Sequence, residues 1–251
     1  MRLVPAQHPA AAPGTSPPPP AAAREVFGPV FPLAQRFAVM LAESITRGLM
    51  GPHEAERLWD RHLLNCAVVA DLIPRPSSLL DIGSGTGLPG IVLAMLMPDV
   101  QVTLVEPMAR RVAFLDECLA DLRLSNVTVH RARAEEIRGQ LIADVVTARA
   151  VAPLDRLAGL VMPLVRPGGM VLALKGERAA AEADEAGPLL RRLGVSEITV
   201  LQVGTAVVSP ATTVIRLIAG PEAGPGQEPG PRAGRRTAPR AARGGAVRAR
   251  R

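Results

Sequence analysis

The chain has 251 residues, 48% of them hydrophobic, enough to build one substantial core without disulfides or a structural metal. Its formal charge of +6 is local, because residues 220–251 hold eight arginines against two glutamates and carry the whole excess. One Trp, four Phe and no Tyr are too few rings for a base-stacking platform, and no apolar run is long enough to span a bilayer.

In chain order, residues 1–30 open with a Pro/Ala-rich stretch that includes Pro17–Pro20, and they are expected to be disordered. Residues 31–75 predict N-terminal helices. Leu33, Phe37, Met40, Leu41 and Ile45 fall at helical spacing, with Gly48 near the stop. A second helix is predicted from His53 to Ile73, where Leu58, His62, Cys66 and Val69 share a face and Pro74 closes it. Residues 76–219 then alternate. Strands are predicted at Val100–Val105, Val127–Arg131, Val145–Ala148, Met170–Leu174, Ile198–Val203 and Thr212–Ile218. Between them fall predicted helices at Arg110–Leu122, Ala134–Gln140, Leu154–Val165 and Arg178–Leu193. Such alternation predicts an α/β fold, a parallel sheet covered on both faces, and the last two strands, which have no helix between them, predict a closing antiparallel hairpin. Residues 220–251 are expected to be a disordered Arg-rich tail that tethers RNA phosphates without regard to sequence.

The stretch Leu79-Leu80-Asp81-Ile82-Gly83-Ser84-Gly85-Thr86-Gly87-Leu88-Pro89-Gly90 organises this domain. An apolar strand ends in an acid and then in alternating glycines, which let a ligand lie against the backbone. Gly85 to Gly90 also satisfies the dinucleotide pattern G-x-G-x-x-G, so a nicotinamide oxidoreductase is the rival reading. Asp81 separates the two: a carboxylate here opposes a pyrophosphate, whereas S-adenosylmethionine carries a sulfonium and an ammonium but no phosphate.

Several residues beyond the loop carry candidate chemistry. Glu106 ends the next strand 25 residues after Asp81, where an acid can accept hydrogen bonds from two ribose hydroxyls. Ala134 and Glu135, after the third strand, can meet an adenine edge. Arg149 and Lys175 end the fourth and fifth strands and can hold RNA phosphate or a cofactor carboxylate. After the fourth strand, Ala148-Arg149-Ala150 lacks the Asn/Asp-Pro-Pro-aromatic segment of amino-group methyltransferases. Neither Cys66 nor Cys118 sits in a nucleophile or metal motif, so both read as reduced thiols of a cytoplasmic protein and no metal is expected. A target that already holds an unprotonated lone pair, such as guanine N7, remains, and no catalytic side chain is named.

Trp59-Asp60-Arg61-His62-Leu63-Leu64-Asn65-Cys66, the loop Asp81 to Gly90, Arg133-Ala134-Glu135, Ala148-Arg149-Ala150 and Leu174-Lys175-Gly176 occur in that order. Together they resemble the bacterial 16S rRNA guanine-N7 methyltransferase family, also called glucose-inhibited division protein B, of the actinobacterial type. The resemblance implies a Rossmann-like class I methyltransferase with a seven-stranded, mostly parallel sheet and an N-terminal helical extension. It implies S-adenosyl-L-methionine as cofactor and a guanine in the decoding region of 16S rRNA, in the small ribosomal subunit, as target. Cofactor roles fall on Gly83, Leu88, Glu106, Ala134, Glu135 and Arg149, and the RNA side on Arg61, His62 and Lys175. Asn65-Cys66 replaces the usual Asp-Ser, and Ala148 a frequent Ser. A methyltransferase of small molecules shares all the cofactor signals and is the nearest alternative.

Overall fold

The computed structural model describes residues 15–75 and 77–224. Of the tail expected to be disordered over residues 220–251, residues 220–224 are ordered, with Gly220 N donating to Gly194 O at 2.8 Å and Ala223 buried, and the rest, with its tether of arginines, lies outside the described residues. A helix α1 (Ala21–Phe27) leads through a 3₁₀ turn into α2 (Phe31–Thr46). The expectation of disorder up to residue 30 is therefore corrected from residue 21 onward. Phe27 and Phe31 flank Trp59, with ring centroids 6.3 and 6.1 Å away, and the Trp59 indole donates to the Pro17 carbonyl at 3.0 Å. Burying three of the chain's few large rings together orders the stretch that its composition left open.

The helix predicted over residues 53–73 is broken. Pro52–Arg57 is 3₁₀, Leu58–Leu64 is π-helical, α3 is the single turn Asn65–Ala67, and Ala70–Leu72 is 3₁₀ again. The break lies at Arg57, whose φ of −110° and ψ of 8° leave helical geometry. Leu58, His62, Cys66 and Val69 are all buried, so the shared face exists although the helix is not continuous.

Then follow β1 (Ser78–Ile82), α4 (Gly90–Leu96), β2 (Gln101–Val105), α5 (Ala109–Leu122), β3 (Val127–His130) and β4 (Ala143–Arg149). After these come α6 (Leu154–Val161), β5 (Val165–Lys175), α7 (Ala179–Arg192), β6 (Val195–Val203) and β7 (Thr212–Ala219). The helix predicted over residues 134–140 is absent; the stretch is turns, closed by the Glu136 carboxylate accepting from Arg133 N at 2.7 Å and by Gly139 at φ +72°. A left-handed glycine so soon after the strand stops helix growth before it has nucleated.

The seven strands form one sheet in the order β3-β2-β1-β4-β5-β7-β6. β1 to β5 are parallel, and β7 runs antiparallel between β5 and β6, which is the closing hairpin the sequence predicted. Leu79 and Val145 face a core made with α2, α4 and α5, whereas Leu80 and Val146 face one made with α6 and α7. Two-sided burial of this kind is why these strands read as apolar runs. The strand order reverses between β1 and β4, and ligands of open α/β sheets bind beyond the carboxyl ends of the strands at such a point.

Candidate cofactor cleft

The glycine loop is anchored from below. Asp81 is fully buried; its Oδ1 accepts from Thr147 Oγ1 at 2.9 Å and its Oδ2 from Gly90 N at 3.1 Å. Burial pushes this carboxyl up to about 6, while the bonds from Thr147 and Gly90 pull the other way. Asp81 thus occupies the first turn of α4, the place where a pyrophosphate would lie. Gly90 permits this, since a Cβ there would meet Leu104 Cδ2 at 2.2 Å and Asp81 Oδ2 at 2.8 Å.

Above this anchor a cleft of about 390 Å³ opens, lined by Gly83 to Thr86, Leu88, Glu106 to Met108, Arg111, Arg149 to Val151, Leu49, Met50 and His62. Gly85 sits in it at φ +59°, and a Cβ there would meet nothing nearer than Gly83 O at 3.8 Å. Glu106 is buried at the end of β2; Oε2 accepts from Gly85 N at 2.9 Å and Oε1 from Met108 N at 2.9 Å, with Arg111 Nη1 3.7 Å away. One carboxylate therefore ties the loop after β1 to the loop after β2. A larger cleft of about 580 Å³ lies toward the amino ends of the strands, against α1 and Asn126, away from these groups.

Arg149 ends β4 beneath the N-terminal segment. Its Nη2 donates to His62 Nδ1 and its Nη1 to Cys66 Sγ at 3.2 Å, and His62 Nε2 meets Glu54 Oε2 at 2.6 Å. Because Nδ1 accepts, the proton of His62 is on Nε2 and the ring is neutral. Burial, then the Arg149 charge, hold His62 down to about 4 against the pull of Glu54. Burial would raise Glu54, but the bond from His62 and the nearby Arg61 and Arg57 leave it below the usual carboxylate range.

The structure brings Gly83, Leu88, Glu106, Arg149 and His62 together around this cleft. Ala134 and Glu135 lie in the turns after β3, Ala134 buried in the same core cluster as Ile82 and Val105 and Glu135 exposed. Arg61 is exposed on the N-terminal segment, 3.8 Å from Glu54. Lys175 points inward, its Nζ donating to Ala152 O at 2.7 Å and Glu182 Oε2 at 2.8 Å, and the same Glu182 oxygen accepts from Leu154 N at 3.0 Å. The ammonium expected to meet RNA phosphate thus clamps the loop after β4 to α7. Lys175→Met is expected to cost about 3 kcal/mol of stability in urea unfolding, because it leaves Glu182 half-buried without its cation. Among the cleft residues, Ser84, Met108 and Arg111 carried no sequence signal beyond lying next to the glycines or Glu106. Glu54 carried none at all.

A family model described as rRNA small subunit methyltransferase G (GidB) matches residues 32–208. A ribosomal RNA small subunit methyltransferase G from Thermobifida fusca is 54% identical over 215 residues, covering 83% of this chain and 91% of that protein. One of the same name from Streptomyces avermitilis is 52% identical over 210 residues, covering 83% and 88%. Among solved structures, a SAM-dependent O-methyltransferase from Thermotoga maritima aligns with a TM-score of 0.51 at 15% identity, over 62% of this chain and 64% of that one, a likeness of fold. With a family match over most of the described residues and relatives more than half identical along nearly their whole length, the chain belongs to the rRNA small subunit methyltransferase G family.

Proposed function

We propose that this protein transfers the methyl group of S-adenosyl-L-methionine to N7 of a guanine in 16S rRNA, presented by the small ribosomal subunit or its RNA. The relatives named for methylation of small-subunit rRNA support the substrate class. The cleft supports the cofactor. Glu106 keeps lone pairs for ribose hydroxyls, Arg149 offers a guanidinium to a carboxylate, and the wall of Met50, Leu88, Met108 and Val151 suits an apolar body. Asp81, set into the first turn of α4, disfavours a pyrophosphate and with it the nicotinamide alternative.

When bound, S-adenosylmethionine supplies an electrophilic methyl group. The observation that carries the N7 assignment is that every ionisable side chain lining the cleft is already committed. Glu106 accepts from two backbone N–H groups and gives its remaining lone pairs to the ribose hydroxyls in this reading, His62 is neutral with both ring nitrogens engaged, and Arg149 and Arg111 are cations. A nucleophile that must first lose a proton finds no idle base here. Guanine N7 has its lone pair in the ring plane and needs none, so the chain's task is to align the base and exclude water. The exposed guanidinium of Arg61, next to His62, is the RNA-phosphate contact in this reading.

Calorimetry is expected to show binding of S-adenosylmethionine and its demethylated product and none of NAD; NAD binding alone would sink the proposal. Incubation with small ribosomal subunits should yield 7-methylguanosine by mass spectrometry, and free nucleosides should give none. A methylated exocyclic amine or carbon would refute the N7 route.

A further inference from the structure

We propose that Glu54 is a positioning residue for Arg149, acting through the ring of His62 to aim the guanidinium into the cofactor cleft. The inference rests on the cofactor reading above and adds to it a residue outside the cleft lining. Glu54 and His62 are eight residues apart, which along a continuous α-helix means about 12 Å of axial separation. Instead they are 2.6 Å apart, because the chain breaks at Arg57 and passes from 3₁₀ to π-helix. Local departures of this kind from α-helical winding recur at functional sites. What this one achieves is contact between a carboxylate and the far nitrogen of a buried imidazole.

The consequence for Arg149 follows from hydrogen-bond polarity. An imidazole has one donor and one acceptor nitrogen when neutral. The Glu54 carboxylate can only accept, so it holds the proton on Nε2 and leaves the Nδ1 lone pair for Arg149 Nη2. In the other tautomer an N–H would face the guanidinium, two donors would oppose each other, and Arg149 would have to swing away. Cys66 Sγ, which accepts from Nη1, is too weak an acceptor to hold the group by itself. Second partners that fix the tautomer of a functional histidine are a general device; here the histidine in turn fixes an arginine.

Two readouts test this. Nitrogen chemical shifts of the four histidines report which ring nitrogen of His62 carries the proton, with no cofactor needed. Calorimetry reports S-adenosylmethionine affinity. In Glu54→Ala the Nε2–H form is expected to give way to a mixture, and affinity to fall about tenfold, the scale of one misdirected charge-assisted hydrogen bond. Glu54→Gln keeps an acceptor oxygen and should restore both the tautomer and most of the affinity, which a purely structural role of the negative charge would not predict. A tautomer that stays on Nε2 in Glu54→Ala overturns the proposal. So does a changed tautomer with wild-type affinity. Failure of the wild-type protein to bind S-adenosylmethionine would instead overturn the cofactor reading, leaving the tautomer experiment to stand by itself.

Discussion

Gly85→Val is expected to abolish S-adenosylmethionine binding in a protein that still folds, and Gly90→Ala to do the reverse damage. A side chain at position 85 projects into the cleft and meets no chain atom nearer than 3.8 Å, so it strikes the ligand and not the fold. Its folding cost is the left-handed backbone, about 1–2 kcal/mol. At position 90 the added methyl would lie 2.2 Å from Leu104 Cδ2 and 2.8 Å from Asp81 Oδ2, in a place where Leu104 is fully buried and Asp81 is held by Thr147. Relief requires moving Asp81 off the first turn of α4, at about 3 kcal/mol for the overpacking alone. Urea unfolding and calorimetry on the two variants should therefore give opposite patterns. Equal loss of stability in both, or wild-type affinity in Gly85→Val, would show that the loop's glycines do not divide their work this way.

That division explains what was legible in the sequence. The glycine loop, Glu106 and Arg149 were found because they fall at strand ends, and strand ends are set by apolar runs that a single sequence displays. The broken helix was not legible. Leu58, His62, Cys66 and Val69 satisfy helical spacing, and within the π turn Trp59 packs against Phe31 and against Phe27, a residue that sequence placed in a disordered arm. Glu54 was invisible for the same reason, since its contact with His62 exists only once the helix is broken. Lys175 was found at the correct strand end but given the wrong surroundings. Its partner Glu182 lies on α7, and whether a strand-end lysine faces solvent or a neighbouring helix is decided by packing, which spacing does not report. Ala134 and Glu135 were named from the end of the third strand, and the turns that replace the expected helix there bury one and expose the other.

Asp81 also makes stability depend on pH in an unusual direction. Its carboxyl is ordinarily near 3.8 and is pushed by burial up to about 6 in the fold. The folded protein then keeps a proton that the unfolded chain has lost, so this group's contribution is fully present below 3.8 and is lost as pH rises through 6. A shift of this size corresponds to about 3 kcal/mol. His62 works with the opposite sign: held down from 6.5 to about 4, it contributes fully above 6.5 and loses that contribution as pH falls toward 4. Glu54, also held low, adds to the loss on the acid side. Over pH 4 to 6 the opposed slopes of Asp81 and His62 offset each other. Asp81→Asn removes one of them while keeping the local bonds. An amide oxygen can accept from Gly90 N, and the amide nitrogen can donate to a rotated Thr147 hydroxyl. The variant is therefore expected to match the wild type near pH 4 and to exceed it by about 3 kcal/mol at pH 7 in urea unfolding, its stability now rising across the interval. A constant offset between the two curves at every pH would mean that Asp81 titrates as an ordinary carboxylate, and that its burial beneath the glycine loop carries no electrostatic penalty.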